Sequence, residues 1–283
     1  MIAVVTGSSS GIGRTTAQRF AAAGYDVLVH ASRVSDNLTA TLDSLAPTGV
    51  RCEMLICDYR SDSLDEFVTD AFRRLGPIDI WVNNAGADVL TGDLKHLPFE
   101  DKLELLWQVD VRSTLFLTRQ VARRMLAHRS QRAGTSAPNS APNSAPNSAR
   151  SNAPTGAIFN LGWDQATTGM AGDSGQLFSA TKGSIMAMTA SLAKTYAPHV
   201  RINCIAPGWI QTAWGQSTST EWQQRATQES LLKRWGSPAD VANLIVSLAA
   251  QEIEFVNGQV IAVNGGLATP FDDNDRHSEG GCV

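Results

Sequence analysis

Thr6-Gly7-Ser8-Ser9-Ser10-Gly11-Ile12-Gly13 follows directly on the apolar run Ile2–Val5 and leads into Arg14–Ala23, a stretch of helical pattern that Gly24 closes. A strand, a glycine-rich turn and a helix in that order make a phosphate cradle. Glycines allow the tight turn and the close approach of backbone to a pyrophosphate, and the positive end of the helix faces the anion. Gly7, Ser9, Gly11, Ile12 and Gly13 are therefore the predicted pyrophosphate contacts. Isolated glycines would decide little, but these stand at the start of the chain in the context the motif requires.

Working outward, six further short apolar runs alternate with longer helical stretches: Val27–His30, Met54–Cys57, Ile80–Val82, Ala157–Leu161, Ile202–Ile205 and Val260–Val263. They are unbroken rather than alternating, as expected of parallel strands covered on both faces. The predicted fold class is α/β, a Rossmann-like, doubly wound, seven-stranded parallel sheet. One domain over residues 1–269 accounts for the pattern. Residues 130–155 are rich in Ser, Ala, Pro and Asn and repeat Ala-Pro-Asn-Ser three times from Ala137 to Ser148, which predicts a disordered inserted loop. A mobile tail is expected over 270–283.

Composition excludes several classes. A net charge of −4 gives no electrostatic reason for a nucleic-acid partner, and no apolar run approaches the ~18 residues that span a bilayer. Cys52, Cys57, Cys204 and Cys282 lack a zinc-like or redox spacing, and His96, His128 and His199 lack metal-ligand spacing, so no metal is predicted. With no charged leader before Ile2, the expected location is the cytoplasm.

More motifs follow strands in order: Asp58 after the third, Asn83-Asn84-Ala85-Gly86 after the fourth, and Pro207-Gly208-Trp209-Ile210-Gln211-Thr212 after the sixth. Together with Phe178-Ser179-Ala180-Thr181-Lys182, the set resembles the short-chain dehydrogenase/reductase family over all but the inserted loop and the tail. Arg234-Trp235-Gly236-Ser237-Pro238-Ala239-Asp240 and the ending Asn264-Gly265-Gly266 resemble its 3-oxoacyl-acyl-carrier-protein reductase branch. The resemblance implies a nicotinamide dinucleotide held by the glycine loop, Asp58, Asn84, Ala85, Gly86, Lys182, Pro207, Gly208, Ile210 and Thr212. It implies a small-molecule or acyl-thioester substrate and a homo-oligomer, a dimer or tetramer, because the family pairs long helices across subunits. At the end of the second strand, His30-Ala31-Ser32-Arg33 carries no carboxylate to accept ribose hydroxyls and offers Arg33 to a 2′-phosphate, which favours NADP(H) over NAD(H).

The family's catalytic tetrad is a Tyr that protonates the carbonyl oxygen, a Lys four residues later, a substrate-orienting Ser and an Asn that holds a relay water. Lys182 keeps its place, but the Tyr position is Phe178, the Ser position is Trp163 and the Asn position is Asp110. The stretch from Trp163 to Phe178 is also longer than usual by about two residues. A phenyl ring has no proton to give. Two readings follow. Another acid substitutes, Asp164 or Asp173, with Asp110 paired to Lys182; or the protein binds NADP(H) without comparable catalysis, as a sensor or partner subunit. Trp209, Trp214, Trp222 and Trp235 cluster in the segment that forms the family's substrate lid, as an aromatic wall or as ordinary packing.

Overall fold

The apolar runs become strands β1 (Ile2–Val5), β2 (Asp26–Ala31), β3 (Cys52–Ile56), β4 (Ile80–Asn83), β5 (Gly156–Leu161), β6 (Val200–Pro207) and β7 (Val260–Val263). In the computed structural model, which describes residues 1–135, 156–212, 215 and 218–266 and the side chains of all but 129–135 of these, they form one sheet in the order β3-β2-β1-β4-β5-β6-β7. Every pairing is parallel. The helices are α1 (Gly11–Ala22), α2 (Asp36–Leu45), α3 (Leu64–Leu75), α4 (Phe99–Leu106), α5 (Ser113–Thr135), α6 (Asp173–Tyr196), α7 (Thr220–Glu229) and α8 (Pro238–Ala249). Among the described residues, no helix is long and apolar enough to cross a membrane.

Alternate strand residues feed two cores, which is why the runs are continuously apolar. Val27, Val29 and Phe159 pack with Phe20 and Ile245 on the side of α1 and α8. Leu28 and Ile158 pack with Phe67, Leu117 and Leu192 on the side of α3, α5 and α6. A buried polar chain fixes the second layer to the sheet. Asn83 Nδ2 donates to Thr118 Oγ1 at 3.0 Å and to Asn160 Oδ1 at 2.9 Å, and Asn160 Nδ2 donates to Thr189 Oγ1 at 3.0 Å. Both long helices that carry the candidate chemistry are thereby tied to the centre of the sheet.

The winding reverses between β1 and β4, so the crevice at their carboxyl ends is the ligand position this topology creates. Two boundaries differ from the sequence reading. α1 begins at Gly11 rather than Arg14, because the turn itself enters the helix. α5 runs on to Thr135, six residues into the segment read as loop, where Gln, Arg and Ala favour helix. The Ala-Pro-Asn-Ser repeats and the tail lie outside the described residues.

α4 passes into α5 through a π-helical segment, Trp107–Arg112, which places Asp110 inward.

Candidate active site

The glycine loop closes on two positions where no side chain fits. Gly7 has a φ of +63°, and a Cβ there would lie 2.7 Å from the Ala85 Cα; a Cβ on Gly13 would lie 2.3 Å from the Gly7 carbonyl oxygen. Asn84 Nδ2 donates to the carbonyls of Thr6 and Gly7 at 2.9 and 3.1 Å, while the Asn84 and Ala85 amides both donate to Thr6 Oγ1 at 3.0 Å. The Asn84 side chain thus braces the loop. The first amides of α1 have no partner within the helix, and the Ser10 side chain does not cap them.

From the other side the loop is held by His30, at the end of β2. Its Nδ1 accepts the Gly7 N–H at 3.1 Å, and its Nε2 lies 3.0 Å from the Cys57 carbonyl. Nδ1 must be bare to accept, so the proton sits on Nε2 and is donated to Cys57. The ring is buried and stacks on Tyr59 at 4.9 Å. Burial pushes the imidazole down to about 4, against a small opposing effect of the Cys57 carbonyl.

A cleft of about 800 Å³ opens along this edge. Gly7, Ser9, Gly11, Ile12, Gly13, Arg33, Asp58, Asn84, Ala85, Gly86 and Thr212 all line it. Arg33 is exposed and makes no ion pair or hydrogen bond among the described residues. Asp58 is differently placed from a free acceptor: Arg60 grips both its oxygens, Nε to Oδ1 at 2.9 Å and Nη2 to Oδ2 at 2.6 Å, and holds its carboxyl below the usual range. Pro207 and Gly208 close the end of β6, and Ile210 is buried behind Thr212, with its amide neighbours bonded to Gly236.

Lys182 Nζ lies 2.8 Å from Asp110 Oδ2, and Asp110 Oδ1 accepts the Ala87 N–H at 2.8 Å. The pairing expected from the sequence is present, and it is buried on the carboxylate side. Phe178 lies one turn before Lys182 on α6 and meets Trp163 edge-on, with ring centroids 6.1 Å apart and planes at 63°. Two aromatic rings thus stand at the positions that the sequence reading assigns to the tyrosine and the serine. No titratable atom is left at either.

Asp164, the candidate acid of the sequence reading, opens the short 3-10 turn after β5. It lies against Asn264, whose Nδ2 donates to Oδ2 at 3.0 Å, and against Gly208, where a Cβ would lie 2.9 Å from the same oxygen. Among the described residues it makes no hydrogen bond or ion pair with Lys182. The carboxylate is buried, and Oδ1 has no hydrogen-bond partner among the described residues. Burial pushes it up to about 6, with the charge of Glu229 adding to the effect. Asp173 is exposed as the first residue of α6, where its charge complements the helix end.

Three of the tryptophans pack on one another. Trp209 lies 5.5 Å from Trp222 and 6.0 Å from Trp235, with the Arg225 guanidinium 5.0 Å over the Trp222 ring. Glu229 accepts from the Trp209 indole at 2.8 Å and from Arg225 at 2.7 Å. Trp214 and Cys282 lie outside the described residues. The Cys57 and Cys204 thiols are buried and pushed up to about 12, which makes them poor nucleophiles.

With this geometry in hand, the comparisons are direct. The family profile described as short chain dehydrogenase matches residues 1–135, and that described as enoyl-(acyl carrier protein) reductase matches residues 135–268. The 3-oxoacyl-acyl-carrier-protein reductase of Aquifex aeolicus is 30% identical over 272 residues, 94% of this chain and 96% of that protein. The chain belongs to the short-chain dehydrogenase/reductase family. The 3-oxoacyl-acyl-carrier-protein reductase of Staphylococcus epidermidis is 27% identical over 270 residues, 94% of this chain and 98% of that protein. Among solved structures, a variant of actinorhodin polyketide ketoreductase with NADPH superposes with a TM-score of 0.75 at 27% identity, covering 94% of this chain and 96% of the other. A 7α-hydroxysteroid dehydrogenase with NADH and a 7-oxo bile acid also gives 0.75, at 26% identity, covering 94% and 93%.

Short-chain dehydrogenases/reductases use NAD(P)H, and the cleft's residues fit such a group: a side-chain-free cradle, unpartnered helix amides and an open cation. The residue that sequence reasoning missed is His30. Its place as the one polar residue in the buried part of an apolar strand that ends at the cleft was the available signal.

Proposed function

We propose that this short-chain dehydrogenase/reductase is an NADP(H)-dependent oxidoreductase acting on a carbonyl/hydroxyl pair, with a 3-oxoacyl-thioester-like compound as the substrate class. The single observation that carries the cofactor reading is Arg33, an unpaired cation on the cleft rim beside a β2 end that has no carboxylate. Gly7, Ser9, Gly11, Ile12 and Gly13 hold the pyrophosphate; Asp58, Asn84, Ala85, Gly86 and Thr212 line the remainder, with Pro207, Gly208 and Ile210 shaping the wall behind. When bound, the nicotinamide supplies or accepts the hydride. The similarity to two 3-oxoacyl-acyl-carrier-protein reductases supports the substrate class. Assembly as a homo-oligomer in the cytoplasm belongs to the same reading.

The chain's own residues then divide the remaining tasks. Lys182, paired with Asp110, carries a positive charge one turn after Phe178 on α6. Phe178 and Trp163 give no proton. Asp164 is the candidate acid, because a carboxyl group near 6 is partly protonated at neutral pH and its Oδ1 is uncommitted.

The test is NADPH oxidation with a short 3-oxoacyl thioester between pH 6 and 9. General acid catalysis is typically worth about 10²–10⁴-fold. Asp164→Asn should lose that factor if Asp164 donates, whereas Asp173→Asn should not. The Trp163–Phe178 contact favours a second reading, nucleotide binding without turnover. Under it the parent is inert with carbonyl compounds while NADPH binds. Phe178→Tyr combined with Trp163→Ser should then recover more rate than Phe178→Tyr alone.

A further inference from the structure

His30 is tied to the glycine loop at every polar atom it owns but one. Its backbone amide donates to Ser8 Oγ at 2.8 Å, its carbonyl accepts from the Ser8 amide at 2.9 Å, and its Nδ1 accepts the Gly7 N–H at 3.1 Å. The remaining atom, Nε2, reaches across to the Cys57 carbonyl beyond the end of β3, 3.0 Å away. The ring has no freedom to turn, because Tyr59 stacks on it and Phe67 packs at 4.8 Å with a 50° tilt.

We infer that His30 is a positioning residue for the nucleotide cleft, acting through Gly7. Resting on the nucleotide reading above, the argument is one of geometry. Gly7 sits in the left-handed region with φ +63°, which its backbone could leave if its amide were free. The Nδ1 contact takes up that amide and holds the turn, so the uncommitted amides opening α1 keep their direction toward the cleft. Asn84 braces the same turn by its carbonyls, the His30 carbonyl takes the Ser8 N–H, and the imidazole takes the N–H of Gly7 itself. A second-layer contact of this kind pre-sets a binding loop before the ligand arrives, which lowers the cost of ordering it.

Two isosteric substitutions separate positioning from bulk structure. His30→Asn places an acceptor near the Nδ1 position and loses the reach to Cys57. His30→Gln keeps a donor near the Nε2 position and loses the acceptor for Gly7. Both variants should melt earlier than the parent. NADPH affinity, measured by calorimetric titration, should stay within about threefold of the parent in the Asn variant and fall about tenfold in the Gln variant, the usual worth of one such hydrogen bond. If the Gln variant binds as tightly as the parent, or both weaken equally, the positioning role is overturned. Absence of NADPH binding by the unmodified protein would instead remove the nucleotide reading, and this inference with it. Nitrogen-15 spectra of the unmodified protein give a readout that does not depend on either variant folding. They should show His30 protonated at Nε2 with a hydrogen-bonded, bare Nδ1; a proton on Nδ1 overturns the inference.

Discussion

Arg33 is the residue on which cofactor choice turns. An uncommitted guanidinium on the rim can take a 2′-phosphate in fork geometry, and an aspartate there would repel it. Arg33→Asp should weaken NADPH by about 1–3 kcal/mol and leave NADH much less affected. Calorimetric titration of the two nucleotides checks this, and equal losses would show that Arg33 only faces solvent. At the same scale, the sequence assigned Phe178 by its offset of four from Lys182, and Trp163 and Asp110 by resemblance through the fifth strand and the Val109–Thr114 stretch. What it could not show was which of the remaining acids go where. Asp164 and Asn264 are 100 positions apart, and no periodicity connects them. Asp164 is a carboxyl buried against Gly208 and Asn264.

Between elements, the Asp110–Lys182 pair fastens the π-helical segment to α6. Removing one partner of a buried pair costs more than the pair contributes, because the other charge stays behind. Asp110→Ala should lower stability by about 3 kcal/mol in urea denaturation. Asp110→Asn should cost less, since its amide oxygen can still accept the Ala87 N–H and Lys182 retains some access to water. Equal losses in the two variants would place the stability in the charge pairing with Lys182 rather than in the Ala87 bond or in packing. Strands were legible because a parallel sheet with both faces covered leaves unbroken apolar runs. Helix ends were less so: Gly11 opens α1 through a turn whose composition reads as loop, and α5 outlasts its apolar pattern on propensity alone. The His30–Gly7 bond joins β2 to the loop after β1 across 23 positions, so it too was invisible until the strands were aligned.

For the molecule as a whole, two buried groups push stability in opposite directions over one pH window. His30 is lowered to about 4 from 6.5, so between those values the unfolded chain binds more protons and stability rises with pH. Asp164 is raised to about 6 from 3.8, so over nearly the same range the folded chain binds more protons and stability falls as pH rises. Each swing amounts to about 3 kcal/mol, and the two nearly cancel. Denaturation midpoints of the parent should therefore vary little between pH 4 and 6.5 on account of these groups. Asp164→Asn should expose the histidine's slope, with stability climbing by about 3 kcal/mol across that interval; a flat profile in that variant would mean that His30 is not held neutral by burial. The protein also provides the means to watch such a titration. Trp222 and Trp235 lie 5.5 and 6.0 Å from the ring of Trp209, at angles of 49° and 64°. Indoles so close and so far from parallel share their excited states, and a chiral arrangement of coupled transitions splits the circular-dichroism band into a couplet of opposite signs. That couplet is an optical signature of one packed segment after β6, distinct from the backbone signal of the helices. Its loss ahead of the main transition would reveal that segment peeling away while the sheet still stands.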